Sequence, residues 1–522
     1  MLRVRSPLGC IIRRQPVRGA RGVHLSAATC IALAIAGCGS GADRPSSGPP
    51  KAATQKKDLP NIIVLTVDTL RADHLARYGY ERNTMPAIEA FFDTAVVFDQ
   101  AVVPRGSTRP SYSSMLTGLY PFRHGVRSNF MVLHDDLVTL PEMLKEAGYH
   151  TAAFVSNFVL IGELSGCDQG FDVYDDRLED LETYQANYER VAARTLRSIL
   201  AWLESDPPQP FFLFINLIDP HGPYEPPKRF RALYATDQQR MLRLEDIPVY
   251  NRKPGVLNFH EYLDAYDAEI RYADEALGIL IEQLKAKRLW DDAFVVFTAD
   301  HGEAFGEHGT FFEHHGHVMD ETTRVPLAIR LPSGANGAPA PAPRRVGGLA
   351  SPMDLLPTVA ALLDIEHAGM LDGRSLLGVL KGAAPAADRA LLLEFPAVAS
   401  PWQSHPDFYA IRTASQKLIE QYDVKTHQPL GRFFFDLAQD RLEQHPINVD
   451  PWNETHRKLA TQLAQLVAEV RRTELAFVVT EYDMPLDNRA GFVAGRKKMG
   501  GPHVRALTPE QIDRLRSLGY ID

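Results

Sequence analysis

The sequence predicts an α/β protein with a large, mixed but mostly parallel sheet, helices on both of its faces, and a smaller C-terminal α+β subdomain. Three apolar runs without polar alternation indicate strands that are buried on both faces, as in parallel sheets. These runs lie at residues 61–67, 211–218 and 293–298. Helical patterns separate or follow them, and such strand–helix alternation is typical of layered α/β folds. The predicted helices cover residues 140–147, 184–203, 262–287 and 358–363.

Composition divides the chain of 522 residues into four predicted segments. A signal peptide and a flexible linker rich in Gly, Ser and Pro precede the main domain, and the smaller subdomain follows it. The predicted bounds are 1–37, 38–58, 59–385 and 386–522. Within the subdomain we expect short strands near residues 390–394 and 433–436 and a helix at 454–472.

The N-terminal segment has the pattern of an export signal. Its first 37 residues carry six arginines and no acidic residue, and residues 25–36 form an apolar run too short to span a bilayer. The run ends in Ile35-Ala36-Gly37-Cys38, which resembles a bacterial lipobox with Cys38 as the lipidated residue. An ordinary signal peptide with a chance cysteine is the alternative. We expect an exported bacterial lipoprotein, anchored through its lipid to the membrane on the periplasmic face of the cell envelope.

Charge and cysteine content exclude several classes of protein. The net charge is −9, and removal of the six arginines in residues 1–37 makes it −15. An acidic surface of this kind repels nucleic acid, so we expect no nucleic-acid partner. Beyond Cys38 the chain has a single cysteine, Cys167, which excludes a disulfide framework and a cysteine-rich zinc site. Cys167 is expected to be a small buried apolar residue.

Polar side chains follow each of the three predicted strands. Asp68 follows the first, residues 219–224 follow the second, and residues 300–303 follow the third. In open α/β sheets ligands bind beyond the carboxyl ends of the strands, so these side chains are expected to meet there. We predict that Asp68, Asp300 and His301 bind one divalent cation. Their oxygen-rich set suits Ca²⁺, Mn²⁺ or Mg²⁺, and the histidine also admits Zn²⁺. In the alternative interpretation, Asp68 caps a helix that starts just after it.

Thr108 is the predicted nucleophile. Pro110 suits the first turn of a helix, and residues 111–116 can continue that helix. A hydroxyl at a helix N-terminus lies near free backbone N–H groups and the positive end of the helix dipole, which stabilise an alkoxide and an anionic ester. We also expect Thr108 to be a ligand of the cation, which would lower the pKa of its hydroxyl. In the alternative, Thr108 only caps the helix.

Histidines are concentrated after the third predicted strand. His301, His308, His314, His315 and His317 all lie within 17 residues. A mobile polar loop with scattered imidazoles is one interpretation. Their position after a buried strand favours metal binding or proton transfer instead.

These motifs together resemble the sulfatase family of the alkaline phosphatase superfamily. Residues 107–118 resemble the family signature Cys-x-Pro-Ser-Arg with a following Thr-Gly, and residues 67–71 and 300–303 resemble its two metal motifs. Residues 320–327 resemble the family's Glu-Glu-x-x-Arg-Val-Pro-Leu, an alignment that puts His315 where sulfatases keep a substrate-binding lysine. The resemblance implies an alkaline phosphatase-like sheet with a small C-terminal domain, in agreement with the strand pattern.

The chain departs from the family pattern at the anion site. Thr108 stands where sulfatases carry the cysteine that becomes formylglycine, so no formylglycine is expected. Ser107 is a weaker candidate for the modified residue, because it lies three residues before Pro110 rather than two. Tyr112 replaces the arginine of the signature, and residues 155–158, which include Asn157, replace a segment with a sulfate-binding lysine.

Two related classes of enzyme use a threonine nucleophile. The predicted metal group with Thr108 resembles the one-metal centre of phosphoglycerol transferases of the lipoteichoic-acid synthase type. Nucleotide pyrophosphatases use threonine with two zinc ions. For a second cation in this chain, the available ligands are Asp219, His221 and His315.

The predicted function is metal-dependent hydrolysis of sulfuric or phosphoric esters through a covalent intermediate on Thr108. His221 and His315 are the candidate acids for the leaving alcohol, and the substrate is an anionic ester of a small molecule, a glycan or a lipid headgroup. Predicted substrate-binding residues are Arg109, Tyr112, Asn157 and His317. The alternatives are a phosphodiesterase, a phosphonate hydrolase or a phosphoglycerol or phosphoethanolamine transferase, and a non-catalytic relative that binds an anion.

Overall fold

A computed structural model describes residues 59–178, 180–181, 188–333, 341–367, 369–396 and 406–482. The predicted signal peptide, the linker and the lipidation site Cys38 lie outside the described residues. Across the ranges described, no helix combines the length and the apolar composition that a membrane span requires.

Sixteen strands and twelve α-helices occur in the part of the chain that the structure describes. The strands are β1 (Ile62–Val67), β2 (Val96–Val102), β3 (His150–Phe154), β4 (Val173–Asp175), β5 (Asp180–Leu181), β6 (Tyr188–Glu189), β7 (Phe211–Leu217), β8 (Phe294–Ala299), β9 (Ala304–Phe305), β10 (Phe311–Glu313), β11 (Arg324–Arg330), β12 (Arg344–Ala350), β13 (Leu391–Phe395), β14 (Asp407–Arg412), β15 (Gln416–Tyr422) and β16 (Pro429–Asp436). The helices are α1 (Pro86–Phe92), α2 (Thr108–Thr117), α3 (Pro121–His124), α4 (Leu140–Glu146), α5 (Gly162–Ser165), α6 (Ala192–Glu204), α7 (Lys228–Tyr234), α8 (Phe259–Ala286), α9 (Asp320–Thr323), α10 (Leu355–Leu363), α11 (Leu377–Leu380) and α12 (Glu454–Tyr482).

The main sheet has eight strands in the order β12-β2-β11-β8-β1-β7-β3-β4. Strand β11 runs antiparallel to β2 and β8, whereas the remaining neighbours pair in parallel. At the centre, Val67 at the end of β1 lies opposite Leu217 of β7 and Ala299 of β8. The carboxyl ends of these three strands therefore meet at one edge. The predicted mixed, mostly parallel sheet is confirmed.

Continuous apolar runs identified the central strands correctly. Every residue of β1, β7 and β8 is buried, as expected for strands covered by helices on both faces. The long helix α8 packs against this core through residues such as Tyr262, Tyr266 and Ile270. Cys167 is buried, as predicted.

The helix predicted at residues 184–203 begins later than expected, at Ala192. The preceding Tyr188–Glu189 forms the short strand β6 instead. The backbone N–H of Ala192 donates to Asp219 Oδ2 at 2.8 Å, so a side chain from the β7 end sets the start of α6. Local pattern could not reveal this long-range contact. The predicted helices at 358–363 and 454–472 are longer in the structure, as the bounds of α10 and α12 show.

The C-terminal part of the described chain forms an antiparallel sheet in the order β13-β14-β15-β16, with α12 packed against it. Its core also takes in main-domain residues, among them Val102, Tyr120, Phe122 and Val318. A buried ionic cluster joins the two parts, because Lys417 Nζ lies 2.9 Å from Asp320 Oδ1 and 2.7 Å from Glu443 Oε1.

Candidate active site

Two carboxylates and an imidazole converge at the carboxyl edge of the main sheet. Asp68 directly follows β1 and Asp300 directly follows β8, its parallel neighbour. Register therefore places both residues at the same level, and His301 comes next on the chain. All three side chains have no exposed surface. Their ligand atoms lie within 4.8 Å of one another, and in the ranges that the structure describes this is the one such group of three or more.

Neighbouring groups orient the three side chains. The Asn157 amide donates to Asp68 Oδ2 at 2.6 Å, and the backbone N–H groups of Thr69 and His301 donate to Asp300 Oδ1 at 3.2 and 2.9 Å. His301 Nδ1 lies 2.9 Å from the Gly302 carbonyl oxygen. Because that carbonyl only accepts, Nδ1 carries the proton and the lone pair of Nε2 faces the carboxylates.

The remaining oxygen atoms of the two carboxylates point at this lone pair. His301 Nε2 lies 3.4 Å from Asp300 Oδ2 and 3.8 Å from Asp68 Oδ1. Among the described residues neither oxygen has a hydrogen-bond partner. Buried polar atoms are rarely left unsatisfied, and two such oxygens beside an imidazole lone pair fit a divalent cation. Asp68 is held by Asn157 and does not cap a helix; the next helical turn begins at Ala72.

Burial and mutual repulsion disturb the ionisation of this group. The pKa of Asp68 is raised to about 7 by burial and by the nearby charge of Asp300, and burial raises the pKa of Asp300 to about 7. Burial lowers the pKa of His301, which favours the neutral imidazole. A bound cation would reverse the effect on the carboxylates and hold them ionised.

Thr108 is the first residue of α2, and Ser107 occupies the N-cap position. The Thr108 hydroxyl lies 3.2 Å from His301 Nε2 and is fully buried. The hydroxyl oxygen therefore lies next to a predicted metal ligand, as the nucleophile hypothesis requires. Ser111, in the first turn of the same helix, donates from its hydroxyl to the Asp300 carbonyl oxygen at 2.6 Å and ties α2 to the end of β8.

Three further histidines pack next to the predicted metal ligands, His314 directly and His221 and His315 through His314. The His314 ring stacks on His301 with centroids 4.1 Å apart, and His221 and His315 lie 5.5 and 4.2 Å from His314. The predicted acids His221 and His315 therefore pack against His314, which in turn stacks on the predicted metal ligand His301. His317 lies elsewhere, with Nε2 3.8 Å from Glu321 Oε1.

The sequence analysis gave His314 and Glu303 no individual role, although both lie beside the metal group. His314 is fully buried, its Nδ1 lies 3.4 Å from Glu303 Oε1, and both ring nitrogens are without a hydrogen-bond partner across the described ranges. Glu303 Oε2 accepts from the Tyr224 hydroxyl at 3.2 Å. Both residues stand in motifs already noted, but no spacing rule distinguishes His314 from its neighbour His315.

Three predicted substrate-binding residues support other parts of the site instead of facing a ligand. Arg109 donates to the carbonyl oxygens of Val159 and Met131, at 2.8 and 2.9 Å. The Tyr112 hydroxyl lies 2.7 Å from Thr66 Oγ1, inside the sheet, and Asn157 orients Asp68. These contacts favour positioning roles, and direct substrate contact by these residues stays a prediction.

The ligands predicted for a second cation do not come together. Asp219 is used at the start of α6, where Oδ2 accepts from the backbone of Ala192 at 2.8 Å. With His221 and His315 it forms no group of potential ligands within the described part of the chain. Among the described residues, the potential ligands that come together are therefore those of Asp68, Asp300 and His301.

Comparison with known proteins agrees with this architecture. The sulfatase family model matches residues 60–365, more than half of the chain, and a model described as the C-terminal part of N-sulphoglucosamine sulphohydrolase matches residues 306–472. An ulvan-active sulfatase of Formosa agariphila is 26% identical over 440 residues, which cover 79% of this chain and 82% of that protein.

Two solved structures share the fold. One, described as a complex with its substrate D-glucosamine-2-N,6-O-disulfate, has a TM-score of 0.63 at 19% identity and covers 79% of this chain and 98% of that one. The other is a phosphonate monoester hydrolase of Agrobacterium radiobacter, also with a TM-score of 0.63 at 19% identity, covering 79% and 96%. The chain belongs to the sulfatase family and is a hydrolase of the sulfatase/alkaline phosphatase superfamily.

Proposed function

We propose that this chain is a metal-dependent hydrolase of sulfuric or phosphoric esters with Thr108 as its nucleophile. One observation carries the proposal: the Thr108 hydroxyl lies 3.2 Å from His301 Nε2, beside two carboxylate oxygens that have no partner among the described residues. A hydroxyl placed against a cation-binding group, at the start of a helix, is suited to attack an anionic ester.

The residues present fit one divalent cation. Asp68, Asp300 and His301 would hold it, and their oxygen-rich set suits Ca²⁺, Mn²⁺ or Mg²⁺, while the imidazole also admits Zn²⁺. When bound, the cation would neutralise an oxygen of the ester and lower the pKa of the Thr108 hydroxyl.

The chain's own residues supply the remaining chemistry. Thr108 Oγ1 passes its proton to a solvent water and forms a bond to sulfur or phosphorus while the bond to the leaving alkoxide breaks. His221 or His315 donates a proton to that alkoxide, and water then attacks the Thr108 ester, restoring the hydroxyl and releasing the inorganic anion. The N-terminus of α2 lies at Thr108, so the positive end of the helix dipole would stabilise the anion in both steps.

Phosphorus esters are the favoured substrates. A threonine sulfate lacks the elimination route open to a formylglycine hydrate, whereas a threonine phosphate can be hydrolysed by attack at phosphorus. The names of relatives, including the ulvan-active sulfatase, support an ester carried on a sulfated glycan.

The test is an assay of purified protein on matched 4-nitrophenyl sulfate, phosphate, phenylphosphonate and phosphodiester substrates, with added Mn²⁺, Ca²⁺ or Zn²⁺. We expect Thr108→Ala to lower turnover by about 10³-fold or more. Thr461→Ala is the matched control, because its hydroxyl donates to a helix carbonyl in α12, 2.9 Å away. An unchanged rate for Thr108→Ala would eliminate this nucleophile, and absence of turnover on every ester would favour a non-catalytic anion-binding relative.

We further propose that Cys38 anchors the protein to the cell envelope. The apolar run at residues 25–36 and the small residues before Cys38 support this proposal. Cys38→Ser should abolish incorporation of labelled palmitate into the protein, because the acylated thiol is lost. Labelling of the variant at the level of the parent would contradict the proposal.

A further inference from the structure

Tyr250 and Asn251 lie between the two segments that carry the candidate acids for the leaving alcohol. They end a short helical turn, Val249–Asn251, in the connection between α7 and α8. Tyr250 is 7% exposed and Asn251 is fully buried, so both side chains face the interior of the protein. The sequence analysis assigned neither residue to the site, yet their contacts reach both segments.

Both side chains donate to one carbonyl oxygen in the histidine segment, which is residues 312–317. The Tyr250 hydroxyl donates to the Phe312 carbonyl oxygen at 3.0 Å, and the Asn251 amide donates to the same oxygen at 2.5 Å. Phe312 has a φ of +54°, in the left-handed region that a bulky residue adopts only where its surroundings hold it. The two donors therefore hold the backbone two residues before His314, whose ring stacks on His301.

The same two residues pack against the turn that carries His221. The Tyr250 ring stacks on the His221 ring, with centroids 6.3 Å apart. The Asn251 amide packs on the backbone of Gly222, where an added Cβ atom would lie 1.8 Å from Asn251 Oδ1. His221 Nδ1 lies 2.8 Å from the Gly222 carbonyl oxygen. Because that oxygen only accepts, Nδ1 carries a proton, and a proton for the leaving alkoxide would come from Nε2.

Tyr250 and Asn251 thus form a clamp on two segments that are distant in the sequence. His221 follows β7, whereas the histidine segment begins within β10. The segments meet at His221 and His314, whose ring centroids are 5.5 Å apart. A general acid has to stay within hydrogen-bond reach of the leaving oxygen, and a displacement of about 1 Å can cost about 100-fold in rate. A clamp on both segments is placed to prevent such a displacement.

We propose that Tyr250 and Asn251 are positioning residues for the acid that protonates the leaving alcohol. The inference rests on the proposed function, which places the ester at Thr108 and assigns that proton to His221 or His315. The clamp acts through the backbone of the two segments and through the ring of His221. Loss of a clamp contact should slow the departure of alcohols that need protonation, and should spare alcohols that leave as stable anions.

The test compares the 4-nitrophenyl ester with the phenyl ester of the acid that the parent hydrolyses best, phosphate, phenylphosphonate or sulfate. Phenolate is the more basic leaving group and depends more on a proton donor. The measured quantity is kcat/KM, because it reports the steps up to release of the alcohol and not the later hydrolysis of the Thr108 ester. We expect Tyr250→Phe and Asn251→Ala each to lower it about tenfold or more for the phenyl ester, and less than about threefold for the 4-nitrophenyl ester.

Tyr149→Phe is the matched control. It also removes a buried hydroxyl that donates to a backbone carbonyl, that of Pro60 at 2.9 Å, but at the amino edge of the sheet. It should leave kcat/KM for both esters unchanged. Tyr250→Phe removes one oxygen atom and keeps the ring, so it decides the question if Asn251→Ala does not fold.

A selective loss on the phenyl ester separates positioning of the acid from a structural role. Equal losses on the two esters, or parent values on both, would overturn the inference. Turnover that Thr108→Ala leaves unchanged would contradict the proposed nucleophile alone, because the difference between the two esters would still report the acid. Absence of turnover by the parent on every ester would overturn both proposals.

Discussion

Removal of divalent cations should destabilise this protein, and the loss should grow as the pH rises from 4 to 7. Burial raises the pKa of Asp68 and Asp300 from the ordinary value of 3.8 to about 7 in the cation-free protein. Between these values the folded state retains protons that the unfolded state has released. Stability therefore falls as the pH rises through this window, and the full penalty is present above pH 7.

The expected size follows from the same values. A rise in pKa from 3.8 to about 7 corresponds to roughly 4 kcal/mol for one carboxylate, at about 1.4 kcal/mol per tenfold change in proton affinity. The structure describes about 400 residues, for which the unfolding entropy is about 0.8 kcal/mol/K. One carboxylate should therefore shift the Tm by about 5 °C.

The assay is thermal unfolding at pH 5 and pH 8, with a chelator and with millimolar Mn²⁺ or Ca²⁺. With chelator the Tm should be lower at pH 8, and cation should restore it there. Asp300→Asn should reduce both effects, since an amide can still accept from the Thr69 and His301 N–H groups. Asp93→Asn, at an exposed carboxylate, is the control. A Tm at pH 8 that cation does not change would refute the reasoning.

Two further substitutions test neighbouring parts of the structure. Asn157→Ala should weaken cation binding by about 10–100-fold in a calorimetric titration, because the amide that orients Asp68 is lost. Lys417→Met should lower stability by about 3–5 kcal/mol, or a Tm by about 5 °C, because it leaves the buried Glu443 carboxylate without a cation, while Asp320 keeps only Arg412.

Each of these variants has a matched control on the surface. Asn83→Ala should leave cation affinity unchanged, and Lys425→Met should leave the Tm within about 1 °C, as is usual for exposed substitutions. Equal cation affinity for Asn157→Ala and the parent would show that Asp68 needs no such support. A Lys417→Met protein as stable as the parent would show that the ionic cluster does not stabilise the contact between the main domain and the C-terminal part.

The central strands and the metal group were predictable, because both depend on local pattern. A continuous apolar run followed by a carboxylate identifies Asp68 and Asp300, and parallel register then brings them together. Two interior strands on one side of the sheet were harder to predict: β2 and β11 carry polar residues or a proline within their runs, and they form strands because they pair with their neighbours. Thr108 was recognisable because its motif is contiguous.

Features that depend on distant contacts could not be predicted. Whether His314 or His315 packs on His301 depends on how the loop between them and β8 folds. The two residues are adjacent in the sequence, so their spacing from His301 does not distinguish them. The burial of the Arg105 guanidinium against the Phe395 ring, 290 residues further along the chain, is a contact of the same long-range kind.

The core shared by the two parts of the chain has a consequence for how the protein melts. Val102, Tyr120 and Phe122 pack in one cluster with β13, β14 and α12, so neither part encloses that cluster alone. Heat or denaturant should therefore unfold both parts in a single cooperative transition. A truncation after residue 385 would leave an apolar face open to water, and the fragment would aggregate rather than retain a functional site.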